Sequence, residues 1–477
     1  MSESGRDGLF SSLFGRGAVA VADRDWLQAM LDAEAALARA LERAGLAEIG
    51  AGAAVTAAAR ADRFDAAEIG RAAAATGNPV PALVRALTSQ VPATAQEAVH
   101  RGATSQDIID TAAMLLSKRA AEVIGADLDT AADGAAALAA AHTGTVMAGR
   151  TLLQQAVPVT FGLVAAGWLT AITDAGAELA RIRDSRLAVQ FGGAAGTLAP
   201  LGDAGPAVAE LLAAELGLAA PVLPWHTDRL RIVQLAAALA GVCAALGKVA
   251  RDVTLLAQTE VAERAEGGGD PGGGDPGGGD PGRGDPGGGA LRRGGSSAMP
   301  HKRNPVAAVT IIGCTRRAPG LLATLAAAAE QEHQRAAGAW HAEWETLSDL
   351  LRLTGSAASW SAELLSGLTV DPAKMRANLD AAGGLPLAEH VAALLAPALG
   401  RLAAHDLVAA AAARAAASGA TLVAALLADE AAAAALAGAG IGHSELERGV
   451  DPAAYLGAAR QFADRALAAH RAAGPSA

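Results

Sequence analysis

The sequence predicts an all-α protein: a long central helical bundle flanked by two smaller helical domains. Three observations lead there. Aromatic residues make up only 3 % of the chain and alanine is its commonest residue. Alanine is the best helix former and packs closely, and so few aromatic and β-branched residues do not suit a mostly β fold. Apolar residues recur at three–four spacing over segments far longer than the roughly three turns of an average helix. No strand–helix alternation appears, which argues against Rossmann and TIM architectures. At 477 residues and 52 % hydrophobic, the chain can bury a large core in two or three domains.

The N-terminal domain is read as residues 1–105. Trp26, Met30, Ala33, Leu37 and Leu41 mark a helix from Asp23 to Leu46, with Asp23 as N-cap and Gly45 as stop. Shorter helices follow, broken at Gly77, Asn78 and Pro79. The central domain, 106–368, holds three long helical patterns: Gln106–Thr143, Val157–Leu187 and Asp228 to about Glu263. At 1.5 Å per residue the last would be roughly 50 Å long, and several such helices together predict an antiparallel bundle. Between 266 and 289 the pentapeptide Gly-Gly-Gly-Asp-Pro starts at Gly267, Gly272 and Gly277. It lacks the spaced apolar residue of a calcium-binding β-roll and reads as a flexible, solvated extension. Helical pattern resumes from Pro305 to about Leu365. The C-terminal domain, 369–477, is a set of shorter alanine-rich helices after a junction near Thr369–Pro372.

The net charge of −11 argues against a nucleic-acid partner, which needs a basic face to displace counterions. A small anionic substrate still fits, because only the field in the cleft has to be positive. Cys243 and Cys314 lie in apolar surroundings without zinc-type spacing and read as free core thiols of a reducing cytoplasm. Met1–Phe14 has no secretory h-region. No apolar stretch is expected to span a membrane, so no membrane partner is expected.

Four segments carry chemistry. Gly295–Pro305 packs Ser296, Ser297, Met299, His301, Lys302, Arg303 and Asn304 between glycines and a helical pattern. Its backbone N–H groups suit an anion or a developing enolate, and its cations suit carboxylates; the bland reading is a solvated basic loop. His100-Arg101-Gly102-Ala103-Thr104-Ser105-Gln106-Asp107 reads as a helix start with a capping box, which is also an anion site. Gly149–Ala156 includes Gln154, and Gln331–Glu345 includes Trp340, His341 and Trp344. That tryptophan pair is more often core than catalytic. His142 and His470 read as solvated, His405–Asp406 as a helix-surface contact, and His226 as a loop residue without a role.

Taken together, these segments resemble the signature regions of the fumarase/aspartase superfamily, over nearly the whole chain except the Gly-Asp-Pro insert. The resemblance implies that Ser296 is the catalytic base, on a loop (295–305) that closes to lower its pKa. It places His100, Thr104, Ser105 and Gln154 at the substrate. In the amine-releasing members a histidine serves as general acid where this chain has Leu152. Its loss suits a lactone-forming member, whose leaving group in reverse is a carboxylate. The Trp340–Glu345 run resembles the equivalent helix of the carboxymuconate cycloisomerases, and with Leu152 it points to that branch rather than to an adenylosuccinate-lyase-like C–N lyase; the intact Ser296 loop argues against a retired scaffold.

The implied reaction takes 3-carboxy-cis,cis-muconate to 4-carboxymuconolactone in protocatechuate (β-ketoadipate) catabolism. Ser296 would handle the proton, with His100 a candidate to share it. The lid N–H groups with Lys302 and Asn304 would stabilise the aci-carboxylate, Arg101, Thr104, Ser105 and Arg303 would hold the remaining carboxylates, and Ser297 and Met299 would also bind substrate. No metal or organic cofactor is expected. The resemblance further implies a homotetramer whose active sites draw on three subunits.

Overall fold

The computed structural model describes residues 8–266, 299 and 302–474. Ser296, Ser297 and the repeats from Gly267 onward lie outside the described residues.

Helices dominate, as expected. Helix α1 (Asp23–Arg43) is followed by shorter helices, then α2 (Ser105–Ala141), α3 (Phe161–Ser185), α4 (Leu230–Leu256), α5 (Val306–Thr315), α6 (Ala318–Ala327) and α7 (Glu343–Gly367). Helix α2 packs on α3 and α7, and α4 packs on α3, α5, α6 and α7. The shared core includes Leu116, Ile124, Trp168, Leu169, Leu239, Leu246, Leu350 and Ala357. Close approach of α2 and α7 depends on Gly134, where a Cβ would lie 2.9 Å from the Leu365 carbonyl carbon. A second apolar cluster, including Val391, Leu395, Val408, Leu422 and Leu446, joins α8 (Ala388–Leu399) and α9 (Arg401–Ser418). The last helix, α10 (Ala459–Ala473), returns to pack against α2 and α3.

The structure corrects several expectations. Val157–Thr160 is not helical: β1 (Val146–Thr151) and β2 (Gln154–Thr160) form an antiparallel hairpin. Strand β2 ends where the Thr160 side chain caps α3 by accepting the Leu163 N–H at 3.1 Å. The pattern from Pro305 to Leu365 is three helices, broken at Arg316–Arg317 and at 328–342, so Trp340 precedes α7 rather than lying within it. At α1 the N-cap is Ala22, whose N–H is taken by the Asp25 carboxylate at 2.9 Å. His142 is not a solvated residue: it is half-buried edge-on against Phe161, and burial lowers its pKa. Helix α4 and the stretch Val306–Ala327 are apolar and long enough to cross a membrane by length and composition. The reason is that α4 is apolar nearly all round: its inward face is buried, and its outward face carries Ala237, Gly241 and Ala244.

Candidate active site

A buried polar network holds the N-terminus of α2 in place. Thr104 is the N-cap, and the Asp107 carboxylate accepts its N–H at 2.9 Å. Asp107 is 1 % exposed. It also accepts the N–H groups of Gly192 (3.0 Å) and Gly193 (2.9 Å) and the Nε2–H of His226 (2.7 Å). Four donors fill a carboxylate's capacity, so Asp107 serves the scaffold. Glycine is needed on both sides: Gly102 has φ +78° with a Cβ position 2.8 Å from Leu201, and a Cβ on Gly193 (φ +69°) would lie 2.8 Å from the Gly102 carbonyl.

Beneath this cap lies a buried ion triad. Arg229, 1 % exposed, donates to Asp110 at 2.7 and 3.0 Å and to Glu343 at 3.0 Å, with a further close contact from Nη2 to Glu343 Oε2. Burial opposes its charge, but the two carboxylates outweigh this and raise its pKa. Glu343 moves above the ordinary carboxyl range, because burial outweighs the stabilisation by Arg229. Trp340 Nε1 and Gln106 Nε2 also donate to Asp110 at 3.0 and 3.1 Å. Arg335 donates to Gln106 Oε1 at 3.0 Å and to the Ala194 carbonyl at 2.9 Å. Segments more than 200 residues apart thus meet behind one helix terminus.

His100 stands at the rim with a left-handed backbone, φ +58°, a strained conformation for a non-glycine residue. Its Nδ1 is 2.6 Å from Glu34 Oε1, and its backbone N–H donates to Glu34 Oε2 at 3.0 Å. Arg101 turns its guanidinium onto the Leu46 carbonyl.

Gln154 and the described residues of the 295–305 segment lie toward the opposite end of the bundle. Helix α2 has 37 residues and is therefore about 55 Å long. Gln154 follows the tip of the β1–β2 hairpin beyond the C-terminus of α2. There Arg150 pairs with the fully buried Glu263 at 2.5 and 2.9 Å, and the Glu263 N–H donates to the Leu256 carbonyl at the end of α4. Asn378 Nδ2 completes this node, donating to Glu263 at 2.9 Å. Leu152 and Leu153 form the hairpin turn with φ +51° and +65° and are 96 % and 75 % exposed. Lys302, Arg303 and Asn304 precede α5. That helix runs antiparallel to α4, with Thr315 beside Gly247, so its start lies toward the same far end. Met299 is 41 % exposed, with the Lys302 N–H donating to its carbonyl at 3.0 Å. One chain therefore brings together His100, Thr104 and Ser105, and holds Gln154, Lys302, Arg303 and Asn304 a bundle's length away.

Sequence reasoning missed Glu34, Asp110, Arg229 and the role of His226. Glu34 interrupts an otherwise apolar helical face, which was the available signal; Arg229 is the N-cap residue before α4 and carried no such signal, and nothing named the partners of either. The free, buried cysteines and the exposed His405–Asp406 contact at 3.3 Å are as expected.

The all-helical bundle with capped α2 and long antiparallel partners is the architecture of a lyase fold. The family model described as "Lyase" matches residues 20–267, and the one described as "Adenylosuccinate lyase C-terminus" matches 384–466. The chain belongs to this lyase family, the fumarase/aspartase superfamily. It is similar to a 3-carboxy-cis,cis-muconate cycloisomerase of Bradyrhizobium diazoefficiens, 48 % identical over 81 % of this chain and 82 % of the relative. It is also similar to a nitrosuccinate lyase of Streptomyces davaonensis, 45 % identical over 94 % of this chain and 91 % of the relative. The solved structure of the 3-carboxy-cis,cis-muconate lactonizing enzyme of Pseudomonas putida matches with a TM-score of 0.84 and 43 % identity, covering 97 % of this chain and 99 % of that one.

Proposed function

We propose that the protein is a lactone-forming cycloisomerase that converts 3-carboxy-cis,cis-muconate to 4-carboxymuconolactone in the cytoplasm, within protocatechuate catabolism. The observation that carries this reading is the 43 % identity and full-length fold match to a lactonizing enzyme of that substrate. A substrate carboxylate oxygen attacks the alkene carbon β to a second carboxylate. The C–O bond forms as the alkene's electron pair moves into that second carboxylate, giving an aci-carboxylate, and a proton then reaches the α carbon. The attacking group is part of the substrate, so the enzyme's work is to fix conformation and stabilise charge. In this scheme Ser296 moves the proton. Lys302, Asn304, Ser297 and Met299 surround the aci-carboxylate, and Thr104, Ser105, Arg101, Arg303 and Gln154 hold the other carboxylates.

The geometry supports a shared-site assembly as part of this reading. Groups about 55 Å apart in one chain meet only if copies pack with opposite ends together, as in a homotetramer whose sites take segments from three subunits. The outward Ala237–Gly241–Ala244 stripe of α4 and the exposed Leu152–Leu153 tip are surfaces that such packing would cover.

A second reading has support of its own. Leu152 leaves no acid for an amine leaving group, but nitrite is a weak base and needs none; the missing acid therefore disfavours an amine-releasing lyase and not a nitrite-releasing one like the similar Streptomyces enzyme. Two parallel assays decide: loss of diene absorbance from 3-carboxy-cis,cis-muconate, and nitrite release from nitrosuccinate. The proposal expects turnover of the first at least about a hundredfold faster in kcat/KM, the scale of differential transition-state binding; the reverse ranking overturns it.

A further inference from the structure

We propose that Glu34, on α1 of the N-terminal domain, is the positioning residue for His100: its carboxylate holds the Nδ1–H and the backbone N–H of His100, leaving Nε2 as the ring nitrogen that meets substrate. The inference concerns the site proposed above and rests on that reading for its catalytic consequence.

Glu34 is fully buried on a helix face otherwise made of Met30, Leu31, Leu37, Ala38 and Leu41. A carboxylate there carries a heavy desolvation cost unless it is paired, and both of its oxygens are committed to one residue, 66 positions away. Because a carboxylate only accepts, the proton between them sits on Nδ1. Among the described residues no side chain takes up Nε2, and the His100 side chain is 21 % exposed. The backbone N–H contact also pins the left-handed φ of +58°, a strained conformation that persists only where surroundings enforce it.

The charge balance points the same way. Burial of the ring opposes the imidazolium, but the Glu34 hydrogen bond, its charge and the charge of Asp107 outweigh it, so the His100 pKa lies above the ordinary histidine value. The groups facing the ring are Glu34 from α1 and Asp107 from α2. Arg101 is turned away to the Leu46 carbonyl, and His226 lies on the far side of Asp107. An imidazolium at Nε2 is suited to an anionic substrate carrying three carboxylates.

The test compares wild type with Glu34→Gln, each as the assembled protein. The pH dependence of diethyl pyrocarbonate acylation at His100, read by peptide mass spectrometry, gives the His100 pKa without reference to substrate. We expect Glu34→Gln to lower it by about one pH unit. The limb of the kcat/KM profile on which activity falls as pH rises should move down by the same amount, and kcat should drop at least about tenfold. In a His100→Asn background Glu34→Gln should cost little more, since both changes remove one unit. An unchanged His100 pKa, or a full additive loss in the His100→Asn background, overturns the proposal. If Glu34→Gln does not fold, Glu34→Asp keeps the charge, shortens the reach by one methylene, and is judged by the same two readings. Should wild type release nitrite and leave the muconate untouched, the acylation result still decides on Glu34 while the proposed function alone fails.

Discussion

Replacing Arg229 by methionine tests the buried triad behind the site. Arg229 is 1 % exposed, and its guanidinium satisfies both Asp110 and Glu343, themselves buried. Methionine fills similar space without strain, so the change isolates the lost charge. It leaves two carboxylates facing each other without a cation, a loss of about 3–5 kcal/mol. At roughly 2.1 cal/mol/K per residue, a chain of 477 residues has an unfolding entropy of about 1 kcal/mol/K, so the melting midpoint should fall by about 3–5 °C. The loss has a sign with pH. Glu343 already sits above the ordinary carboxyl range because burial outweighs Arg229, and removing Arg229 raises it further. A group whose folded pKa exceeds its unfolded value contributes stability that is fully present below the unfolded pKa and lost as pH rises through the folded one. The deficit against wild type should therefore be smaller near pH 5 than near pH 8. Differential scanning at one protomer concentration and one scan rate measures it. A shift below about 1 °C at pH 8, or equal deficits at both pH values, would refute the reasoning.

Two further changes probe the frame. Gly134→Ala places a methyl 2.9 Å from the Leu365 carbonyl carbon, in backbone that cannot yield locally; forcing α2 and α7 apart should destabilise by about 1–3 kcal/mol, read as a lower urea midpoint. Leu152→Asn with Leu153→Gly supplies the residues that a two-residue turn with two left-handed positions favours; it should relieve turn strain but, by removing two exposed leucines, weaken assembly, seen as smaller species on dilution in gel filtration.

The long helices were legible because three–four periodicity persists over many turns in α2, α3 and α4; the ends of α2 and α3 fell within a few residues of those expected, while α4 stops at Leu256, about two turns before the expected Glu263. The hairpin was not. Val157, Pro158, Val159 and Thr160 are apolar enough to continue the α3 pattern, though Pro158 and the β-branched run were signals against helix. The break at 328–342 was hidden likewise, because Trp340 and Trp344 sit at helical spacing although only Trp344 is helical. Of the site, the α2 cap was readable as local grammar, since Thr104 and Asp107 are three residues apart. The Glu34–His100, Asp107–His226 and Asp110–Arg229–Glu343 contacts span 66 to 233 positions and exist only through tertiary packing. Gln154 and Lys302–Asn304 were expected at one site with His100, and only the length of α2 reveals that a single chain keeps them apart.

That separation makes the shared site the claim most open to direct attack. Ser105→Ala and Ser296→Ala variants, each inactive alone, can be mixed in equal amounts, dissociated in denaturant, reassembled together and assayed on 3-carboxy-cis,cis-muconate. If the two serines at one site come from different copies, random assembly leaves about one site in four with both intact, and about a quarter of wild-type activity should return. If they come from the same copy, every site carries one lesion, no activity returns, and the account of the site is wrong.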